Sequence, residues 1–124
     1  MQIAPRFQVR GEVTDQKWLG SAHATDNART VTIDGAKIAD FTKQGYLPAG
    51  TPLTAGEGGK FAPATASDEL AGFLLVDQPV GTPAADVIAP LLDHGRIRVK
   101  FLPEGAPDVT AMPGNSHFIF VKED

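Results

Sequence analysis

LLDHGRIRVKF, residues 91–101, is the stretch that decides the fold. From Arg96 onward, Ile97, Val99 and Phe101 alternate with Arg96, Arg98 and Lys100. Only a strand turns a period of two into one apolar face and one charged face. Asp93-His94-Gly95, just before it, has the chemistry of a turn, in which Asp bonds its own backbone and Gly accepts positive φ. The spacing therefore predicts two strands, Val87–Leu92 and the one that starts at Arg96, joined at that turn. Thr82-Pro83 and Gly95 would also suit the start and stop of a helix over this region. Pro90 inside such a helix would cost about 3 kcal/mol, so the strand reading prevails.

Working outward, Gly72 to Val76, GFLLV, is a continuous apolar run suited to a strand buried on both faces. Arg29 to Asp34, RTVTID, alternates cleanly, with Val31 and Ile33 on one side and Thr30 and Thr32 on the other. The following GAKIADFTKQG fits a single helical turn around Ile38 and Phe41, closed by Gly45. YLPAGTPLTA and KFAPA flank Gly-Glu-Gly-Gly at 56–59, the pattern of a hairpin whose glycines supply positive φ. Pro48, Pro52 and Pro63 remove ladder donors, which places these strands at an edge or in bulges. After the excursion PEGAPDVTAMPGN, a last strand runs from His117 to Val121.

Thirteen glycines and ten prolines, spread along 124 residues, leave no window for a dominant helix. The expected fold is mainly β: a small β-clip or β-barrel domain of seven or so strands with at most one or two short helices. No internal repeat or linker divides it. Residues 1–28 read as an extended N-terminal arm, and 29–124 as a single β-rich domain. Within the arm, Phe7 and Val9 alternate with Arg6, Gln8 and Arg10, and WLGSAHATDNA (18–28) is dominated by small and polar side chains.

The net charge is −4, unevenly placed: residues 1–60 hold seven Lys/Arg and six Asp/Glu, residues 61–124 four and nine. Neutralising phosphates requires clustered Lys and Arg, so nucleic-acid binding is not expected. The absence of cysteine excludes disulfides, thiolate catalysis and Cys-ligated zinc. The first residues, MQIAPRFQVRGEV, lack the apolar run of a signal peptide, and no stretch approaches a membrane span. The expectation is a protein made in a cytoplasm, with no membrane partner.

Catalytic and metal constellations are hard to assemble. His23 and Asp26 stand three apart, but Gly20, Ser21 and Asn27 argue against the helix that would bring them together, and zinc needs three or four protein ligands. Asp93 and His94 are neighbours whose side chains diverge on a strand unless the turn re-aims them, and a base also needs a nucleophile in reach. The glycines at 56–59 lack the Gly-Lys-Ser/Thr of a phosphate loop, since Lys60 precedes Phe61. No cofactor, metal or catalytic residue is expected.

Two features suit contact with a partner. The basic stripe Arg96, Arg98 and Lys100 is either a solvated strand face or an intersubunit contact with the acidic half of a neighbour. Trp18, the only tryptophan, lies in a polar segment; it either anchors the arm in a partner pocket or folds back on its own domain.

Residues 17–34, KWLGSAHATDNARTVTID, resemble a pattern of head decoration proteins of tailed phages that infect high-G+C bacteria, the lambda D-like β-clip family. The matching residues are Trp18, Leu19, Gly20, Ser21, His23, Thr25, Asp26, Arg29, Thr30, Thr32 and Asp34. The similarity continues, in order, in GYLPAGTPL (45–53), GKFAPAT (59–65), GFLLVD (72–77) and LLDHGRIRV (91–99). It covers residues 17 to about 103, and the stretch 104–124 carries no motif.

The resemblance implies a small β-domain that forms homotrimers at three-fold and quasi-three-fold sites on the outer surface of the expanded head. There it would bind the major capsid protein as a non-enzymatic cement against internal DNA pressure. It further implies an N-terminal arm that orders against the capsid, with Phe7, Val9, Trp18, Leu19, His23 and Asp26 as capsid-binding residues. On that reading, deleting residues 1–28 leaves a folded domain. A virion-surface module that captures carbohydrate or another host surface is the runner-up, weakened because only Trp18 and Tyr46 stand out as exposed aromatics. A small hydrolase comes third.

Overall fold

The computed structural model describes residues 17–20, 28–103 and 105–121. The fold is mainly β, and among the described residues helical structure is confined to single 3-10 turns. Five strands close a barrel: β1 (Arg29–Ile33), β3 (Pro52–Ala55), β4 (Phe61–Pro63), β5 (Gly72–Leu74) and β7 (Val87–Leu92), in the order β1-β4-β3-β5-β7. β2 (Tyr46–Leu47) pairs with β6 (Gln78–Pro79), and β8 (Gly95–Arg98) pairs in parallel with β9 (Phe118–Val121).

The longest ladder joins β1 and β7, antiparallel from Arg29↔Leu91 to Ile33↔Val87. In β1 the alternation works as the sequence predicts: Val31 and Ile33 are buried, whereas Thr30 and Thr32 lie on the outer side with Ile88. A parallel contact at Ile33↔Phe61 closes the barrel. The hairpin between β3 and β4 forms across residues 56–60, with Gly58 and Gly59 at φ 67° and 77°. Both angles belong to the left-handed region that glycine reaches without strain.

Two apolar clusters share the strands between them. One holds Val31, Ile33, Ile38, Leu47, Leu53, Leu74 and Leu91. The other holds Trp18, Phe73, Leu92, Ile97, Val109, Met112 and Phe118. Phe73 and Leu74 of β5 point into different clusters, as do Leu91 and Leu92 of β7. This is why GFLLV and PLL are apolar without alternation: each face of the strand serves a separate core. Each large side chain buried this way contributes about 1.5–3 kcal/mol relative to exposure.

Ile38 seats the turns that follow β1. Asp34 caps the first 3-10 turn, Gly35–Lys37, by accepting from the Ala36 amide at 3.0 Å, and a second turn spans Ala39–Phe41. The segment ends where the Gly45 amide donates to the Phe41 carbonyl.

Three expectations need correction. Of the prolines expected at an edge or in bulges, Pro48 does follow a strand with one partner among the described residues, β2. Pro52 and Pro63 do not mark an edge, because the closed barrel gives β3 and β4 a neighbour on both sides. Both prolines stand at strand ends, and the Pro52 carbonyl still accepts from the Ala64 amide. The strand after the Asp93 turn stops at Arg98, and Val99–Phe101 form a 3-10 turn, so Lys100 leaves the strand that carries Arg96 and Arg98. The boundary at residue 28 also moves. Trp18 is only 1% exposed and sits in the second core, so the folded domain begins upstream of Arg29.

Residues 105–121, which carried no recognisable motif, bring Val109, Met112 and Phe118 to that same core. Asn115 pins the excursion by donating to the carbonyls of Val109 and Thr110, both at 3.0 Å.

Candidate interaction surface

The segment Lys17–Gly20 lies along β8 like a short extra strand. The Arg98 amide donates to the Trp18 carbonyl at 2.6 Å, and the Gly20 amide donates to the Arg96 carbonyl at 2.9 Å. Leu19 forms an antiparallel bridge with Ile97. The Trp18 indole packs 5.9 Å from the Phe73 ring, which meets Phe118 edge-on at 4.9 Å. Two glycines make room for this docking. A Cβ on Gly50 would stand 2.9 Å from Trp18 Cδ1, and one on Gly20 would stand 2.8 Å from Arg96 Cβ.

Trp18 is thus an internal anchor. Its indole fills a pocket of its own domain, which corrects the reading of Trp18 as a residue held out for a partner. Leu19, partly buried against the same core, is fixed with it. Phe7, Val9, His23 and Asp26, the other candidate arm residues, lie outside the described residues.

The proposed intersubunit residues separate. Arg96 is exposed on β8, and Lys100 is exposed in the following turn. Arg98 is half-buried, with its guanidinium carbon 4.4 Å from the centre of the Phe101 ring, a cation–π contact inside the subunit. Lys100 Nζ lies 5.9 Å from the same ring. Arg96 and Lys100 remain available to a neighbour, while Arg98 is engaged at home.

Exposed aliphatic side chains occur on two different sheets. Ile88 is 69% exposed on the outer face of β7, and Ile119 is 56% exposed on β9, where it shares a register position with Arg96. Sequence reasoning missed both. Ile88 was readable as the outward residue of VIAPLL, but only once its partner Thr32 on β1 was known. Ile119 sits in an unbroken FIFV run, where periodicity gives no face.

The polar groups with chemical potential are mostly committed to the backbone. In the turn after β7, His94 Nδ1 and Asp93 Oδ1 are 2.8 Å apart, so the turn does re-aim these neighbours toward each other. Asp93 Oδ2 also faces Arg29 Nε at 3.7 Å. Such a pair orients an imidazole; catalysis would further require a hydroxyl in reach, and the chain has no thiol. Near the hairpin, a groove of about 420 Å³ is lined by Asp34, Lys37, Glu57, Lys60 and Asp68 among others. Asp34 caps a turn, Asp68 accepts from the Thr65 amide, and Lys60 Nζ lies 2.8 Å from Asp86 Oδ2. That leaves Lys37 and Glu57 facing solvent.

Asp86 tethers the barrel mouth. Its Oδ1 accepts from the Gly35 amide at 2.8 Å. That bond, followed by the Lys60 ammonium, holds its carboxyl below the usual carboxylate value, and Asp86 in turn raises Lys60. Among the described residues no group of three or more His, Asp or Glu side chains gathers as a metal site, and no helix is long and apolar enough to cross a membrane.

Set against known proteins, the chain matches no protein-family model and no curated protein.

Proposed function

We propose that this protein is a capsid decoration protein of a tailed phage: a non-enzymatic cement that binds the major capsid protein on the outside of the expanded head as a homotrimer. The observation that carries the reading is that separate stretches resembling the decoration family meet in space. Trp18 and Gly20 of the first stretch pack against Gly50 of the second and Arg96 of the last. The Arg98–Trp18 hydrogen bond ties the ends of that set together. Residues that must fit one another physically form a more specific pattern than glycines and prolines recurring in any β-protein.

The fold supports the same reading. A closed barrel gives a small rigid body, and the exposed Ile88, Ile119, Arg96 and Lys100 supply the aliphatic and cationic groups from which protein interfaces are assembled. With Trp18 committed internally, capsid contacts fall to residues upstream of Lys17 and to the outer faces of the domain. Three copies per trimer multiply modest individual affinities through effective concentration.

The test is co-sedimentation with expanded heads assembled from the capsid protein of the same phage and lacking any decoration. Saturable binding at a fixed ratio to the capsid protein, with heads that resist heat or chelator better than bare ones, is the expected result. Heads that pellet without the protein across a micromolar titration would remove the proposal and favour the host-surface module.

A further inference from the structure

Among the described residues, the small sheet has one open side. Leu19 bridges β8 on one flank and β9 pairs on the other, but beyond the β8 ladder no described group hydrogen-bonds the backbone of Phe118–Val121. Proteins usually blunt such an edge with proline, charge or a bulge. β9 reads FIFV, with none of these, and it presents Ile119 to solvent. The β2–β6 pair is also short of neighbours, but it spans only two residues a side and contains Pro79. An unprotected four-residue apolar edge calls for an occupant.

We propose that β9 pairs antiparallel with β9 of a second copy across a two-fold axis at Ile119, making one sheet continuous through two subunits. The faces restrict the register to pairings centred on a residue, and the centre assigned is Ile119, the exposed residue of the strand. In the β8–β9 ladder Phe120 stands beside the fully buried Ile97, and Phe118 is itself buried, whereas Ile119 stands outward beside Arg96. In a continuous sheet, residues opposite one another share a face. Centring on Ile119 sets it against its own copy and sets each Phe118 against the neighbouring subunit's Phe120. Slipping by one residue would set outward Ile119 against inward Phe120.

The strand is therefore its own complement. Both faces pair apolar with apolar, and no carboxylate from elsewhere is needed. The two Arg96 residues would stand about three strand spacings apart, roughly 14 Å. That exceeds the screening length of about 8–10 Å at physiological salt, so they do not oppose the contact. This pairing does not depend on the capsid reading, since it joins two monomers or two trimers alike.

The chain has no cysteine, so Ile119→Cys carries a single thiol, placed on the axis against its copy. Under mild oxidation it should form a covalent dimer at least about tenfold faster than Ile88→Cys, because pairing holds the two thiols at high effective concentration. Equal rates would overturn the pairing, as they would if residues upstream of Lys17 or a capsid segment occupied the edge instead. Ile119→Lys places a charge on the same exposed site. By light scattering, the solution mass should halve relative to wild type while each subunit keeps its folded circular-dichroism spectrum; the melting temperature of wild type, but not of the variant, should rise with protein concentration. An unchanged mass also overturns the proposal. Head co-sedimentation of both variants reads the decoration role separately, so either idea can fail without the other.

Discussion

The Trp18 indole rests where a side chain on Gly50 would have to be: a Cβ there would lie 2.9 Å from Cδ1 and 3.0 Å from Nε1. Gly50 also has φ +90° and would meet Pro103 at 3.1 Å. Gly50→Ala should therefore cost about 2–4 kcal/mol, combining left-handed backbone strain with overpacking. Urea unfolding measures it; a loss below 1 kcal/mol would mean that the indole shifts without resistance.

Trp18→Ala should destabilise the isolated protein by about 3–5 kcal/mol, the cost of removing a large aromatic from a packed core. Thermal unfolding of the free protein is the measurement. An unchanged melting temperature would return Trp18 to the role of a docking residue. For the same reason, deleting residues 1–28 should weaken the fold itself, which makes that deletion a poor test of capsid attachment.

The Asp86 tether sets a pH dependence with a definite sign. Its carboxyl lies below the ordinary 3.8, so its contribution is complete above that value and drains away as pH falls through the lowered one. Lys60 is raised above 10.5, so its share persists below that value and is lost as pH rises through the raised one. Asp86→Asn keeps an oxygen for the Gly35 amide and removes the charge. The gap in urea midpoint between wild type and this variant should be present at neutral pH and close below 3.8. A gap that persists in acid would assign the effect to shape instead of charge.

Arg96 and Arg98 look equivalent in sequence and should behave differently. Arg98→Ala loses the Phe101 contact and should cost about 1 kcal/mol of stability. Arg96→Ala, on an exposed site, should stay within about 0.5 kcal/mol of wild type. Denaturant titration of the two variants distinguishes them, and equal losses would dissolve the distinction between an internal and an available cation.

Much of the barrel was legible because its strands either alternate, as in RTVTID, or carry turn residues that cannot serve elsewhere, as in GEGG and DHG. GFLLV was legible as doubly buried, though two separate cores could not be inferred from it. The failures have a common physical cause. The polarity around Trp18 suggested exposure, but its partners Gly50, Phe73 and Phe118 are far away in sequence. Lys100 continued the period of two, yet the backbone turned at Val99. Pro52 and Pro63 signalled edges only because barrel closure, a long-range event, has no local signature. Of the candidate site, the exposed Arg96 was readable, and the open side of β9 was not.

The docking of Trp18 has a mechanical meaning for any force applied to the chain ahead of it. Tension on the chain ahead of Lys17 would enter the domain at a residue wedged into the core and bonded through its carbonyl to Arg98. Before any barrel strand could loosen, the pull would have to extract the indole and, together with it, break the hydrogen bond from the Arg98 amide to the Trp18 main-chain carbonyl. The segment works as a strain relief, as a knot does where a cord leaves its socket.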